Sequence, residues 1–309
     1  MPAIRIDNLA KTYRGGWWKK SGVAALRGLS LEVREGEVFG FLGPNGAGKT
    51  TTIHLLLDLM RPTSGAAYVF DRPAGDATVR RRLGYLPESV NLHDYRSGRG
   101  LLEFYAALTG IPSAARAARI DRLLALLKLE EAADRSVTKY SKGMLQRLGF
   151  AQALLHEPDL IILDEPTSSL DPVGRKEFRD ILLELKRQGK TVFISSHILS
   201  EVESVCDRVA ILAKGELVRV GTLQELSAPK STKLVVRGVR DALIDALAAT
   251  SAELSLARGE ATIKCSDEAT RTAVERLVAE HQAIIERTEI ETQSLEDIFF
   301  SAIANKKEP

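Results

Sequence analysis

Gly43-Pro44-Asn45-Gly46-Ala47-Gly48-Lys49-Thr50-Thr51 fits the phosphate-binding pattern G-x-x-x-x-G-K-[ST]. The run before it, Val38-Phe39-Gly40-Phe41-Leu42, reads as a buried strand, and Thr51 to Leu59 after it reads as a helix. Glycines let such a loop wrap so that successive backbone N–H groups point at phosphate oxygens. The helix N-terminus then adds the positive end of its dipole. Lys49 is expected to reach the β- and γ-phosphates, and the Thr50 hydroxyl to take a place on Mg²⁺. Strand, loop and helix in that order predict a nucleotide site at the edge of an α/β sheet.

Outward from the loop, two more short apolar runs belong to the same sheet: Leu160 to Leu163 and Thr191 to Ser195. Nearly continuous apolar strands suit a parallel sheet covered on both faces. Val173 to Gln188 between them carries Phe178, Ile181, Leu182 and Leu185 at helical spacing and ends at Gly189. Ile4 to Ile6 and Leu29 to Val33 alternate as half-buried strands. From Asn91 to Thr138 the texture changes: Leu101 to Leu108 and Ile120 to Leu129 are Leu- and Ala-rich with helical periodicity and no intervening strand. That predicts a helical subdomain over about 89–157, inserted in an α/β core that spans 1–228. Beyond a polar linker at Ser227-Ala228-Pro229-Lys230-Ser231, strand and helix signals follow in the order β-α-β-β-α-β, a split βαβ domain over 229–309.

Composition narrows the function. The chain has 309 residues, enough for two domains. With 43 basic against 41 acidic residues, a net +2, it offers no general attraction for nucleic acid or an acidic membrane. Cys206 and Cys265 are far apart, lack metal-ligand spacing and read as inert thiols in a reducing compartment. No window approaches the ~20 apolar residues of a membrane helix, and the N-terminus lacks a signal-peptide core. Any membrane role is expected to come through a partner.

Further candidate residues complete a hydrolytic site. Asp164 and Glu165 directly follow an apolar strand, and ligands of open parallel sheets bind at the carboxyl ends of strands. Asp164 suits the magnesium side, and Glu165 suits the group that orients or deprotonates an attacking water. His197 ends the next strand, where a donor could hold the γ-phosphate. Ser141 is an expected N-cap, which leaves backbone donors free to meet an anion.

These residues together resemble the nucleotide-binding subunit of an ATP-binding cassette (ABC) transporter, over roughly residues 3 to 226. Gly43 to Thr51 resembles Walker A, Leu160 to Glu165 Walker B and Ser141 to Gln146 the family signature. Ser168-Ser169-Leu170-Asp171 is similar to the D-loop, His197 to the switch histidine, and Tyr13 to the aromatic that stacks on adenine. The resemblance implies a P-loop NTPase fold with an inserted helical subdomain, ATP and Mg²⁺ as ligands, and a head-to-tail dimer. In such a dimer each ATP lies between Walker A of one copy and Ser141 and Gly143 of the other, with Asp171 nearby. It further implies separate transmembrane permease subunits, a place on the cytoplasmic face of the membrane and no nucleic-acid partner. The other reading is a soluble ABC-type ATPase acting on ribosomes or DNA, which usually has two cassettes or long coiled coils.

Departures from the family pattern carry information too. Glu88 stands where most of the family has glutamine, yet its carboxylate still offers an oxygen toward Mg²⁺ or water. Lys142 and Met144 replace a glycine and a glutamine of the signature while Ser141 and Gly143 are kept. All of these recur in exporters of the drug-resistance and membrane-maturation type. The closing Ser294-Leu295-Glu296-Asp297 also resembles that group. Trp17 and Trp18, in a stretch longer than the usual hairpin, leave open which aromatic meets adenine. They could equally touch lipid headgroups or form a surface hairpin. The tail domain could sense a ligand or add a dimer contact.

Overall fold

The computed structural model describes residues 1–13, 22–92, 96–226, 229–248, 250–257, 260–292 and 295–304. The Trp17-Trp18 stretch lies outside the described residues. The chain forms two compact units, Met1–Leu223 with Ser301–Pro309, and Gln224–Phe300.

The larger unit opens with β1 (Pro2–Tyr13), β2 (Val23–Arg34) and β3 (Val38–Leu42), then α1 (Lys49–Leu56). Next come β4 (Ser64–Val69), β5 (Arg72–Pro73), α2 (Ala77–Arg80) and β6 (Leu83–Leu86). The helical insertion supplies α3 (Gly98–Leu108), α4 (Ser113–Leu126) and α5 (Lys142–Leu154). The core resumes with β7 (Leu160–Asp164), α6 (Pro172–Arg187), β8 (Thr191–Ser196) and α7 (Leu199–Glu203). It ends with β9 (Arg208–Ala213) and β10 (Glu216–Thr222), before α8 (Leu223–Leu226).

Six strands make the central sheet in the order β10-β9-β3-β8-β7-β6, parallel except for the β10 edge. Every residue of β3, β7 and β8 is buried, as continuous apolar strands between two covering layers require. Phe39 and Phe41 of β3 pack on Phe193 of β8 with centroids 5.9 and 5.2 Å apart, directly beneath the phosphate loop. Truncating one such ring costs about 3–5 kcal/mol. A second, antiparallel sheet, β2-β1-β4-β5, closes over the same core through Ile4, Ile6, Leu9, Leu29 and Leu31.

β1 and β2 are both 12 residues long, far beyond the short strands their alternation predicts. Their pairing shifts register between Ile6 and Leu9 and again between Leu9 and Ala10, where Asn8 sits at φ 46°. Each bulge advances the side chains by one and breaks the period of two on which strand reading depends.

The smaller unit contains β11 (Pro229–Arg237), α9 (Asp241–Ala248), β12 (Glu253–Ala257), β13 (Glu260–Cys265), α10 (Glu268–Glu280) and β14 (Ile284–Thr292). α11 (Leu295–Ala304) follows. Its sheet runs β12-β13-β11-β14, all antiparallel, the order of a split βαβ fold. Leu234, Val236 and Ile263 from the sheet meet Leu243, Leu247, Val274 and Val278 from the helices.

Candidate active site

The phosphate loop leaves β3 at its carboxyl end, between β9 and β8. α1 begins at Lys49, two residues before the helix the sequence predicts, so Lys49 and Thr50 sit in its first turn. Gly48 makes this possible. Its φ of 109° belongs to the left-handed side, and a Cβ there would lie 2.6 Å from the Ala25 carbonyl. The Gly43 N–H donates to the Ser196 carbonyl at 3.4 Å, which ties the loop to the end of β8.

A cavity of about 460 Å³ opens over this loop. Asn45, Gly46, Gly48, Lys49, Thr50 and Thr51 form its floor, and Val23, Ala24 and Ala25 one wall. Tyr13, Glu88, Glu165 and His197 complete the lining. Of the candidate residues, these come together in one chain. Gly43, Pro44 and Ala47 belong to the loop but do not line the cavity; the Pro44 carbonyl accepts the Ala47 N–H at 3.1 Å. Tyr13 is the described aromatic at the mouth, with its hydroxyl 3.3 Å from Thr51 Oγ1.

The charged residues interlock. Lys49 Nζ, 6 % exposed, donates to the Gly43 carbonyl at 2.6 Å and lies 3.1 Å from Glu165 Oε1. Glu165, 8 % exposed, holds His197 Nδ1 through its other oxygen at 2.7 Å. Glu165 adopts φ 46°, a conformation that costs a non-glycine residue energy. Its N–H is held by the Ser195 carbonyl at 3.2 Å and by Ser195 Oγ at 3.1 Å. Ser195 Oγ in turn donates to Asp164 Oδ1 at 2.5 Å. Ser195 is the residue the sequence reading passes over. It stands next to the conspicuous His197, and only the pairing of Asp164 with Ser195 across β7 and β8 shows its place.

Asp164 is 1 % exposed and lies beneath the cavity rather than in its lining. Its charge is nevertheless felt. The Tyr85 hydroxyl is pushed up to about 12 by burial first, then by the carboxylates of Asp164 and Glu88. Of these carboxylates Glu88 lines the cavity, as does the Thr50 hydroxyl.

Ser141, Gly143 and Asp171 stand apart from this cavity. Ser141 is exposed and caps α5, its Oγ accepting the Met144 N–H at 3.2 Å. Asp171 caps α6, accepting the Gly174 N–H at 2.7 Å. A Cβ on Gly143 would lie 3.5 Å from Leu170 Cδ2, so the D-loop segment rests on the chain's own signature segment.

Residues 26–168 match the family described as ABC transporter. An uncharacterized ABC transporter ATP-binding protein of Nostoc sp. is 49% identical over 74% of this chain and 69% of its own length. This chain belongs to the ABC transporter ATP-binding proteins. A fluoroquinolones export ATP-binding protein of Mycobacterium tuberculosis is 39% identical over 75% of each chain. Among solved structures, a dimeric ATP-binding cassette in a post-hydrolysis state, bound to ADP and Pi, superposes with a TM-score of 0.66. It is 27% identical and covers 72% of this chain and 99% of its own. The chain is therefore the ATP-hydrolysing subunit of an ABC transporter, and the ribosome- or DNA-directed reading is not favoured. Among the described residues, no helix is long and apolar enough to cross a membrane.

Proposed function

We propose that two copies of this chain close head-to-tail on two ATP molecules and that this closure drives a separate permease, in the direction of export. One observation carries the reading. A single chain gathers Lys49, Thr50, Glu88, Glu165 and His197 around one cavity, yet leaves the capped N-terminus of α5 at Ser141 outside it. That N-terminus has free backbone donors and a dipole suited to a phosphate. A second copy would bring it over the γ-phosphate, so ATP favours the closed pair and hydrolysis releases it.

Within the site, Lys49 supplies positive charge to the β- and γ-phosphates, exchanging its contact with Glu165 for the phosphate oxygens. Glu165 accepts a proton from the attacking water. His197 holds Glu165 through Nδ1 and leaves its other ring nitrogen free toward the γ-phosphate. Tyr13 offers its ring to adenine.

The donor set fits Mg²⁺. This ion keeps several waters and takes few protein ligands alongside substrate phosphates, and here Thr50, Asp164 and Glu88 supply one hydroxyl and two carboxylates. Mg²⁺ would neutralise charge on the transferred phosphoryl group.

Docking on a permease would hold the chain at the cytoplasmic face of the membrane. Export is supported by the exporter-type signature and by the fluoroquinolones export relative. Glu165→Gln tests the assignment. It should cut turnover by ~10²–10⁴ and, with ATP and Mg²⁺, elute as a dimer on gel filtration. Normal turnover in that variant rules out Glu165 as the base.

A further inference from the structure

We infer that Glu201 is a positioning residue that locks the D-loop segment to the helix following the switch histidine, and so links the two half-sites carried by one chain. The inference rests on the two-copy reading above.

Glu201 lies on α7, four residues after His197. α7 is pressed onto the central sheet. A Cβ at Gly40 of β3 would lie 2.5 Å from Val202 Cγ1, so only glycine admits the helix at this depth. On that fixed base Glu201 is 15 % exposed. Its Oε2 accepts a hydrogen bond from Thr167 Oγ1, and its Oε1 lies 3.5 Å from Arg175 Nε. The same Nε donates to the Leu170 carbonyl at 3.2 Å. Thr167 is buried, and its carbonyl accepts the Leu170 N–H at 3.0 Å. One carboxylate thus bonds the Thr167 end of the turn Thr167–Leu170 directly and reaches the Leu170 end through its ion contact with Arg175.

What lies at each end gives this clamp its meaning. Upstream, Glu165 is bound to His197 and Lys49 in the ATP cavity. Downstream, Leu170 rests against Gly143, on the face offered to the other nucleotide. A shift of His197 when γ-phosphate is lost would carry α7, and Glu201 would pass it to Leu170 and the signature segment. The alternative, a carboxylate that merely satisfies buried donors, predicts loss of stability and no selective loss of turnover.

Glu201→Ala and Thr167→Val in the full chain separate these. A hydrogen bond to a charged group is lost in each, and kcat should fall about tenfold. KM for ATP should stay as in the unmodified chain, because the ATP cavity is untouched, while loss of the buried contact lowers the melting midpoint in both variants. Thr167→Ser keeps the hydroxyl and should restore turnover. The double variant should be no worse than Glu201→Ala alone, since the Thr167 contact is already lost there. Unchanged kcat in both variants overturns the inference, as does a fall in kcat matched by an equal loss of ATP affinity. Hydrogen exchange without nucleotide decides it independently of catalysis. Amides of Ser168 to Leu170 should exchange faster in Glu201→Ala while those of α1 do not change; equal protection at Ser168 to Leu170 overturns the clamp. Failure of Glu165→Gln to dimerise would instead refute the two-copy reading.

Discussion

The P-loop cavity and the signature segment, the two halves of the proposed ATP site, are built on opposite principles. Around the P-loop, Lys49 and Glu165 are buried, ion-paired and held by three strands of one sheet. At the signature, Ser141 is exposed and its side chain is bonded to the first turn of its own helix. The first is complete in its constellation of charges; the second presents donors to the outside. A buried ion pair is costly to assemble, and removing one partner costs roughly 3–5 kcal/mol because the other is left unpaired. On the proposed two-copy reading, the cavity holds its shape without a partner, whereas the signature acquires a task only when a second copy docks on it.

Mixing variants breaks this comparison most sharply. Lys49→Ala disables the cavity, and Ser141→Arg places bulk and charge at the α5 cap. Each alone should abolish ATP hydrolysis. Mixed in solution, the two should recover activity that neither shows alone, because one composite site then has an intact loop and an intact signature. Steady-state phosphate release checks this. If the mixture stays inactive while the unmodified chain dimerises, the two regions do not belong to one site.

A smaller effect sharpens the electrostatic side. Glu88 lines the cavity and Asp164 lies beneath it, and both carboxylates, after burial, also raise the pKa of Tyr85. At about 4 Å and intermediate dielectric, one unit charge acting on another is worth at most ~4 kcal/mol. Glu88→Gln removes one of these two negative charges while keeping an oxygen donor. The half-activating Mg²⁺ concentration should then rise by about tenfold, with screening reducing the full Coulomb value. An unchanged Mg²⁺ requirement would take Glu88 out of the metal's surroundings.

The two regions also differ in how far the sequence reveals them. The loop from Gly43 to Thr51, Asp164-Glu165 and His197 were legible because each follows a continuous apolar strand, and strand ends in a parallel sheet converge. The helices of the insertion, the Ser141 cap and the split βαβ order were legible from periodicity and capping chemistry. β1 and β2 were read too short because their bulges hide alternation from any period-two test. Ser195, Thr167 and Glu201 went unread for a different reason. Their contacts join residues 31 to 34 apart, and neither spacing nor residue type marks a hydroxyl that will meet a carboxylate on a separate element. What local rules cannot supply is lateral pairing. The site's charged residues stand at the ends of strands, but their supports are set by register.

The smallest effect concerns the joint between the two regions. Just beyond the end of α5, opposite the Ser141 cap, His156 donates its Nε2–H to the Leu83 carbonyl of β6 at 3.0 Å. Burial holds its pKa below the ordinary 6.5, with Arg119 and Lys190 adding repulsion and the Leu83 hydrogen bond opposing them. A depressed value means the unfolded chain binds a proton that the native chain refuses. The stability His156 contributes is complete above pH 6.5 and is lost as pH falls toward the native value. His156→Gln keeps a donor for Leu83 but cannot titrate. Melting midpoints measured across that window should decline less steeply in the variant than in the unmodified chain, while the two agree in slope above it. Parallel declines below 6.5 would show that the α5 anchor does not sense acid, and that the signature helix depends on its packing against β6 alone.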